Sequence, residues 1–201
     1  MKDFKKIFVF TAAVCLIMSC SKSDSYLNDD MNVSLKKGKA APATVTVPFK
    51  ADFVGTYMYA GPEASCGEWN PDAGIMWGLV INEGVGTGTH LGKFTSYFEF
   101  CCDFITGVYP GPTNHLVAYF TAANGDLLYL SCAGVVLNGR LDYHPEDVNS
   151  YWKDPFVIIG GTGRFEGATG SGYCDDFNRD SYPENSFHHW SGTITLIKGN
   201  Q

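Results

Sequence analysis

Charge is sparse in this 201-residue chain, with 14 Lys and Arg against 21 Asp and Glu, and the balance is negative. A chain of formal charge −7 lacks the cationic surface that tracking a phosphate backbone or docking on anionic lipid requires. Several motifs are missing too. The glycines of Gly160–Gly172 are followed by no Lys, which excludes a P-loop. Gly161, Gly163 and Gly167 miss the spacing of a dinucleotide fingerprint by one residue, and the following ATGSG is poor helix material. No C-x-x-C knuckle offers a structural zinc site, and no G-x-S-x-G marks a nucleophile elbow. Beyond the amino terminus there is no second apolar run of about twenty residues, so no spanning helix is expected. No cofactor motif or catalytic set is legible, and no metal site is expected.

What is present begins at the amino terminus. Met1–Lys6 is short and basic, and Ile7–Met18 is apolar but too short to cross a bilayer core of ~30 Å. It ends in Leu16-Ile17-Met18-Ser19-Cys20, which resembles the lipobox of bacterial lipoproteins, with Ile17 and Met18 as mild departures. The resemblance implies a signal peptide over residues 1–19, export, and lipidation of Cys20 as a stable anchor in the membrane. An ordinary signal peptide with an incidental Cys is the other reading. Ser21 in place of Asp after the Cys implies the outer membrane. Residues 20–43 are polar, mixed in charge and without periodicity, and read as a flexible tether. With Lys2, Lys5, Lys6 and Asp3 removed, the rest carries about −9 (−7 less +2).

Residues 44–201 are long enough for one domain with a core of its own. Five Cys remain there: Cys66, Cys101, Cys102, Cys132 and Cys174. In an oxidising compartment two disulfides and one thiol are expected, with buried thiols and at most one bond as the alternative. Cys101 and Cys102 are adjacent in a strand, point to opposite faces and should not bond each other.

The pattern along the domain is period two. Val45–Phe49, Phe53–Tyr59, Gly74–Asn82, Thr89–Phe104, His115–Ala122, Leu127–Leu137 and Phe187–Lys198 read as strands. Glu83–Gly88 reads as a turn, Ala60–Ala73 and Asn138–Tyr151 as loops, and Ala123-Asn124-Gly125-Asp126 as a hairpin turn. Leu127–Leu137 is apolar on both faces, so something is expected to pack outside the barrel, a second copy of the chain being one candidate. The organising stretch is Phe156–Cys174. Val157, Ile158 and Ile159 form a strand, the glycines break it, and Ala168, Gly170 and Gly172 then share one face. So many small residues at period two suit a bent strand at a barrel corner. The fold expected is all-β, an antiparallel closed or nearly closed barrel of about eight strands.

GTHLGKFT (Gly88–Thr95), TAANGDLLY (Thr121–Tyr129) and GGTGRFEGATGSG (Gly160–Gly172), in that order, resemble the allene-oxide-cyclase-like barrels, relatives of the dirigent proteins, found in bacterial lipoproteins. The resemblance implies a barrel over roughly Phe53–Ile197 and a cavity in which a reactive substrate is steered. It places no catalytic residue on this sequence. From the residues themselves, Trp77, Phe94, Phe98, Tyr119 and Tyr129 are expected to line the interior, either filling it or leaving room for one small ligand. Glu99 and His90 are the first titratable groups to look for there.

The histidines carry little else. His188 and His189 open the last strand with one imidazole facing each way, His144 is expected to be solvated, and His90 to make a structural hydrogen bond in its turn. Asp175, Asp176 and Asp180 read as a solvated acidic loop rather than a calcium loop. Two functions follow: a lipid-anchored binding or interaction module that holds a small apolar ligand or presents loops to a partner, or a cyclase- or isomerase-like enzyme. An apolar interior favours the first; a buried carboxylate, His or Tyr facing a pocket favours the second.

Overall fold

Period-two burial runs through eight strands, and it lets a single sheet close around one apolar face. The computed structural model describes residues 42–199, so the signal segment, Cys20 and the tether up to residue 41 lie outside the described residues. The barrel strands are β1 (Thr44–Pro62), β2 (Ile75–Gly88), β3 (Gly92–Asp103), β4 (Leu116–Thr121), β5 (Leu127–Cys132), β6 (Pro155–Gly161), β7 (Thr169–Cys174) and β8 (Tyr182–Ile197). Each pairs antiparallel with the next, and β8 returns to β1 in register from Thr44↔Ile197 to Thr56↔Asn185. The sheet is therefore an up-and-down barrel, closed at eight strands as the sequence predicts.

Rings fill it. Phe49, Phe120 and Phe156 are fully buried, and Phe53 packs on Phe94, Phe98, Phe120 and Trp190 at centroid distances of 5.3–6.0 Å. Each such side chain contributes about 1.5–3 kcal/mol through burial. Leu91, Phe165 and Ile194 close one end.

Over Phe156–Cys174 the bent-strand expectation holds. A bulge separates Ile158 from Gly160, a single 3-10 turn follows at Gly163–Phe165, and no α-helix springs from it. The Arg164 N–H donates to Asp126 Oδ2 at 3.1 Å, so the chain's own carboxylate takes the amide that a phosphate would need. Inside the barrel Gly172 faces Gly192 across β7 and β8. A Cβ on Gly172 would lie 2.1 Å from the Ser191 carbonyl oxygen and 2.7 Å from the Phe156 ring.

Three readings are corrected. Glu83–Gly88 is not a turn: β2 runs on through it, because Gly84, Gly86 and Gly88 lie where β1 passes too close for side chains. The turn comes at Thr89–Leu91, with His90 at φ 64°. Leu127–Leu137 is not one strand, since β5 ends at Cys132 and the Asp154 carboxylate occupies the space a side chain at Gly134 would need. Asn138–Tyr151 is not wholly loop. Leu137–Asn138 pairs with Val148–Trp152, which pairs with Asp176–Arg179, which pairs with β8. These short strands extend the sheet over the open end of the barrel.

Among the described residues the cysteines form one disulfide, Cys66–Cys101, on the outside of β3; the expected Ala60–Ala73 loop is shorter than read, since β1 runs on to Pro62 and Trp69–Asn70 pairs with the start of β2. Cys102, Cys132 and Cys174 are free.

Candidate functional site

Strand β8 sends Ser186, His188 and Trp190 inward by simple alternation. Asp176 reaches the same interior from the short strand beside β8 and is fully buried. Its carboxylate is held by three donors. Oδ2 accepts from the Trp190 indole N–H at 2.9 Å and pairs with His188 Nδ1 at 2.7 Å, while Oδ1 accepts from the His189 backbone N–H at 3.0 Å. A carboxylate on Nδ1 places that nitrogen's hydrogen towards it, leaving Nε2 as an acceptor. Nε2 lies 2.7 Å from Ser186 Oγ, which in turn accepts from Asn82 Nδ2 at 3.0 Å. One directed chain thus runs Asn82, Ser186, His188, Asp176 through the apolar interior.

Its placement depends on a missing side chain. Gly55 faces inward on β1, and a Cβ there would lie 2.1 Å from Asn82 Oδ1 and 2.6 Å from Ser186 Oγ. The imidazole of His188 stacks on Phe53 at 4.2 Å between centroids, 6° from parallel, with Phe98 near-parallel to one side at 6.3 Å. Asn82 Oδ1 and Ser96 Oγ are buried without hydrogen-bond partners among the described residues.

These groups border a cavity of about 60 Å³, walled by rings including Phe98, Trp152, Phe156 and Trp190. A water needs roughly 10–15 Å³ of such space, so the chamber takes a few waters or the small end of a larger molecule. Tyr57, Phe100 and Val136 also line a wider vestibule of about 510 Å³ at the barrel mouth. The three side chains stand between chamber and mouth. Tyr57 donates to Asn178 Oδ1 at 2.9 Å, and burial pushes its hydroxyl up to about 12, so it stays protonated.

Across the chamber the Tyr109 hydroxyl and the Val135 N–H both donate to Asp154 Oδ2 at 3.0 Å. Burial raises Asp154 above the usual carboxylate range and Tyr109 well above its ordinary value. The Cys132 and Cys174 thiols lining the same space are pushed up by burial, Cys132 to about 12, which keeps them as inert thiols.

No protein-family model matches this chain, and no curated protein matches it. Among solved structures, that of a pterocarpan synthase dirigent protein is similar over 87% of this chain and 100% of its own, at 14% identity and a TM-score of 0.37. So distant a likeness transfers no chemistry. The site rests on its own geometry.

The residues expected to line the interior divide. Phe94 and Phe98 point inward and are buried, and Phe98 borders the chamber. The other aromatics belong outside, a correction that follows from strand phase. Trp77 alternates outward from Gly78 and lies against Gly67 and Gly111 beside the disulfide. Tyr119 pairs with Tyr129 across β4 and β5 on the outer face, and Tyr97 stacks on Tyr119 at 5.3 Å. Glu99 is outside as well, accepting from the Tyr97 hydroxyl at 2.6 Å and pairing with His115 Nε2 at 2.7 Å, contacts that hold its carboxyl below the usual range. His90 is exposed in its turn.

The imidazoles of β8 do face opposite ways: His189 points out and bonds Asp52 Oδ1 at 2.8 Å. His144, expected in solvent, is instead buried among Tyr143, Tyr151 and Phe177, with Nε2 3.2 Å from Asp175. The acidic loop is also corrected. Asp175 turns to Tyr143, Asp180 to Asn149, and Asp176 into the barrel, so the three do not converge. Sequence reading missed Ser186, Asn82 and Asp176. For Ser186 a signal existed, its period-two spacing from His188 and Trp190; for Asp176 none did.

Proposed function

We propose that this chain is an exported lipoprotein, anchored in the outer membrane through Cys20, whose barrel admits a small, mostly apolar ligand carrying one hydrogen-bonding group. The observation that carries the binding reading is the ring-walled chamber of about 60 Å³ with a polar strip, Asn82–Ser186–His188, on one side and Asp154 with Tyr109 across from it, behind a vestibule of about 510 Å³. Rings provide apolar contact on most sides and the strip fixes orientation, the division of labour of a small-molecule pocket. The anchor is supported by Leu16–Cys20 and the apolar run before it.

Phenol tests this description, its hydroxyl end entering the chamber and its ring, too large for about 60 Å³, lying in the passage towards the mouth. Saturation-transfer NMR should show phenol binding to the wild-type barrel and lose the signal in Val136→Trp, which blocks the passage from mouth to chamber. Equal signals in both proteins would place binding elsewhere and end the reading.

A second reading, an enzyme acting inside the barrel, is favoured by one specific observation. The groups bordering the chamber are a buried carboxylate, an imidazole and a hydroxyl in hydrogen-bonded sequence, and not apolar side chains alone.

A further inference from the structure

Three distances joining β8 to the Asp176–Arg179 strand and to β2 define the arrangement: Asp176 Oδ2 to His188 Nδ1, 2.7 Å; His188 Nε2 to Ser186 Oγ, 2.7 Å; Asn82 Nδ2 to Ser186 Oγ, 3.0 Å. A hydroxyl on the acceptor nitrogen of an imidazole, whose other nitrogen is held by a carboxylate, is the constellation that activates serine. It is recognised by geometry and roles, not by chain order or fold. The carboxylate is itself fixed by Trp190 and by the His189 backbone, so the imidazole has one tautomer and one orientation. Stacking on Phe53 holds its plane.

We propose that Ser186 is a nucleophile activated by His188, and that the barrel transfers short acyl groups from small esters. This rests on the reading that small molecules reach the chamber. Ser186 Oγ adds to the ester carbonyl carbon as its proton passes to His188 Nε2. The C–O bond to the alcohol breaks, the alcohol leaves with that proton, and an acyl-Ser186 remains. Water, deprotonated by the same nitrogen, then releases the acid and restores the hydroxyl. A donor for the carbonyl oxygen as it gains charge stands beside Ser186: the Asn82 amide, whose nitrogen carries a second hydrogen besides the one on Ser186 Oγ. The chamber's size limits the acyl part to a few heavy atoms, while the vestibule beyond Tyr57, Phe100 and Val136 takes the alcohol.

Methanesulfonyl fluoride tests this directly, since it is small and transfers its sulfonyl group to an activated serine with loss of fluoride. Intact-mass and peptide spectrometry of the folded wild-type protein should show one sulfonyl group, on Ser186. Labelling should vanish in Ser186→Ala and slow at least tenfold in His188→Gln, with both variants checked for a folded barrel by circular dichroism. No adduct on wild-type Ser186, or equal labelling in folded His188→Gln, overturns the proposal. Phenol binding measured on the same preparation separates the two failures. If phenol binds and Ser186 stays unlabelled, the chamber is open and the nucleophile is wrong. If neither occurs, small molecules do not enter and both readings fall.

Discussion

His188 is the residue on which interior packing and interior polarity meet. By shape it is a ring stacked on Phe53 with Phe98 near-parallel to one side, and a phenyl group would stack there equally well. By chemistry it joins a fully buried carboxylate to a buried hydroxyl. The two roles predict opposite outcomes for His188→Phe. Packing alone predicts little change or a gain, because a phenyl ring has no polar atoms to desolvate. Loss of both hydrogen bonds leaves Asp176 one donor short and frees Ser186, a cost of about 2–4 kcal/mol that outweighs the gain. Urea unfolding of the variant should therefore show lower stability at unchanged m-value, and equal or greater stability would show that the chain is energetically idle.

At the scale of elements, β8 does the most joining. Its 16 residues pair with β1 along one edge and, along the other, with β7 and then the short Asp176–Arg179 strand. Changing partner part-way along that edge carries Asp176 to the level of His188. The approach of β7 depends on the Gly172–Gly192 pair, because any Cβ on Gly172 meets the Ser191 carbonyl oxygen and the Phe156 ring. Phe156 stacks on Trp190 at 4.6 Å, and Trp190 donates to Asp176, so a push at Gly172 is transmitted to the carboxylate. Gly172→Ala should cost about 1–3 kcal/mol through overpacking and should shift the Trp190 indole N–H resonance in the NMR spectrum. An unmoved resonance would break the connection drawn between barrel corner and site.

For the whole molecule, the question is where the barrel works. The anchor reading sets it on a leash of polar residues beside a membrane. Cys20→Ser should move the protein from the detergent-rich to the aqueous phase in a Triton X-114 partition. Unchanged partitioning would remove the lipid from the account, and would leave the barrel and its chamber untouched.

Much of this architecture is legible in the residues, and the illegible part has a physical pattern. Strand alternation in Phe94–Cys102 and the small-residue face of Ala168–Gly172 announce a closed barrel, because period two is local and needs only neighbours in sequence. Which face points inward is a different matter. Trp77, Tyr119 and Tyr129 share the composition of the core, yet their strands are phased so that Gly78, Ala118 and Leu128 point in. Composition along one strand does not reveal its phase relative to the others, which is set by pairing register. Glycine misleads in the same way at Glu83–Gly88, where it answers a neighbouring strand and not a turn.

The sequence by itself determined the class of fold and the closure of the sheet, since both are written in patterns spanning a few residues. Only the tertiary structure decided which side chains share the interior. Asn82 lies 104 residues from Ser186 and Asp176 lies 12 from His188, and the hydrogen bonds joining them exist only once eight strands have closed in one register.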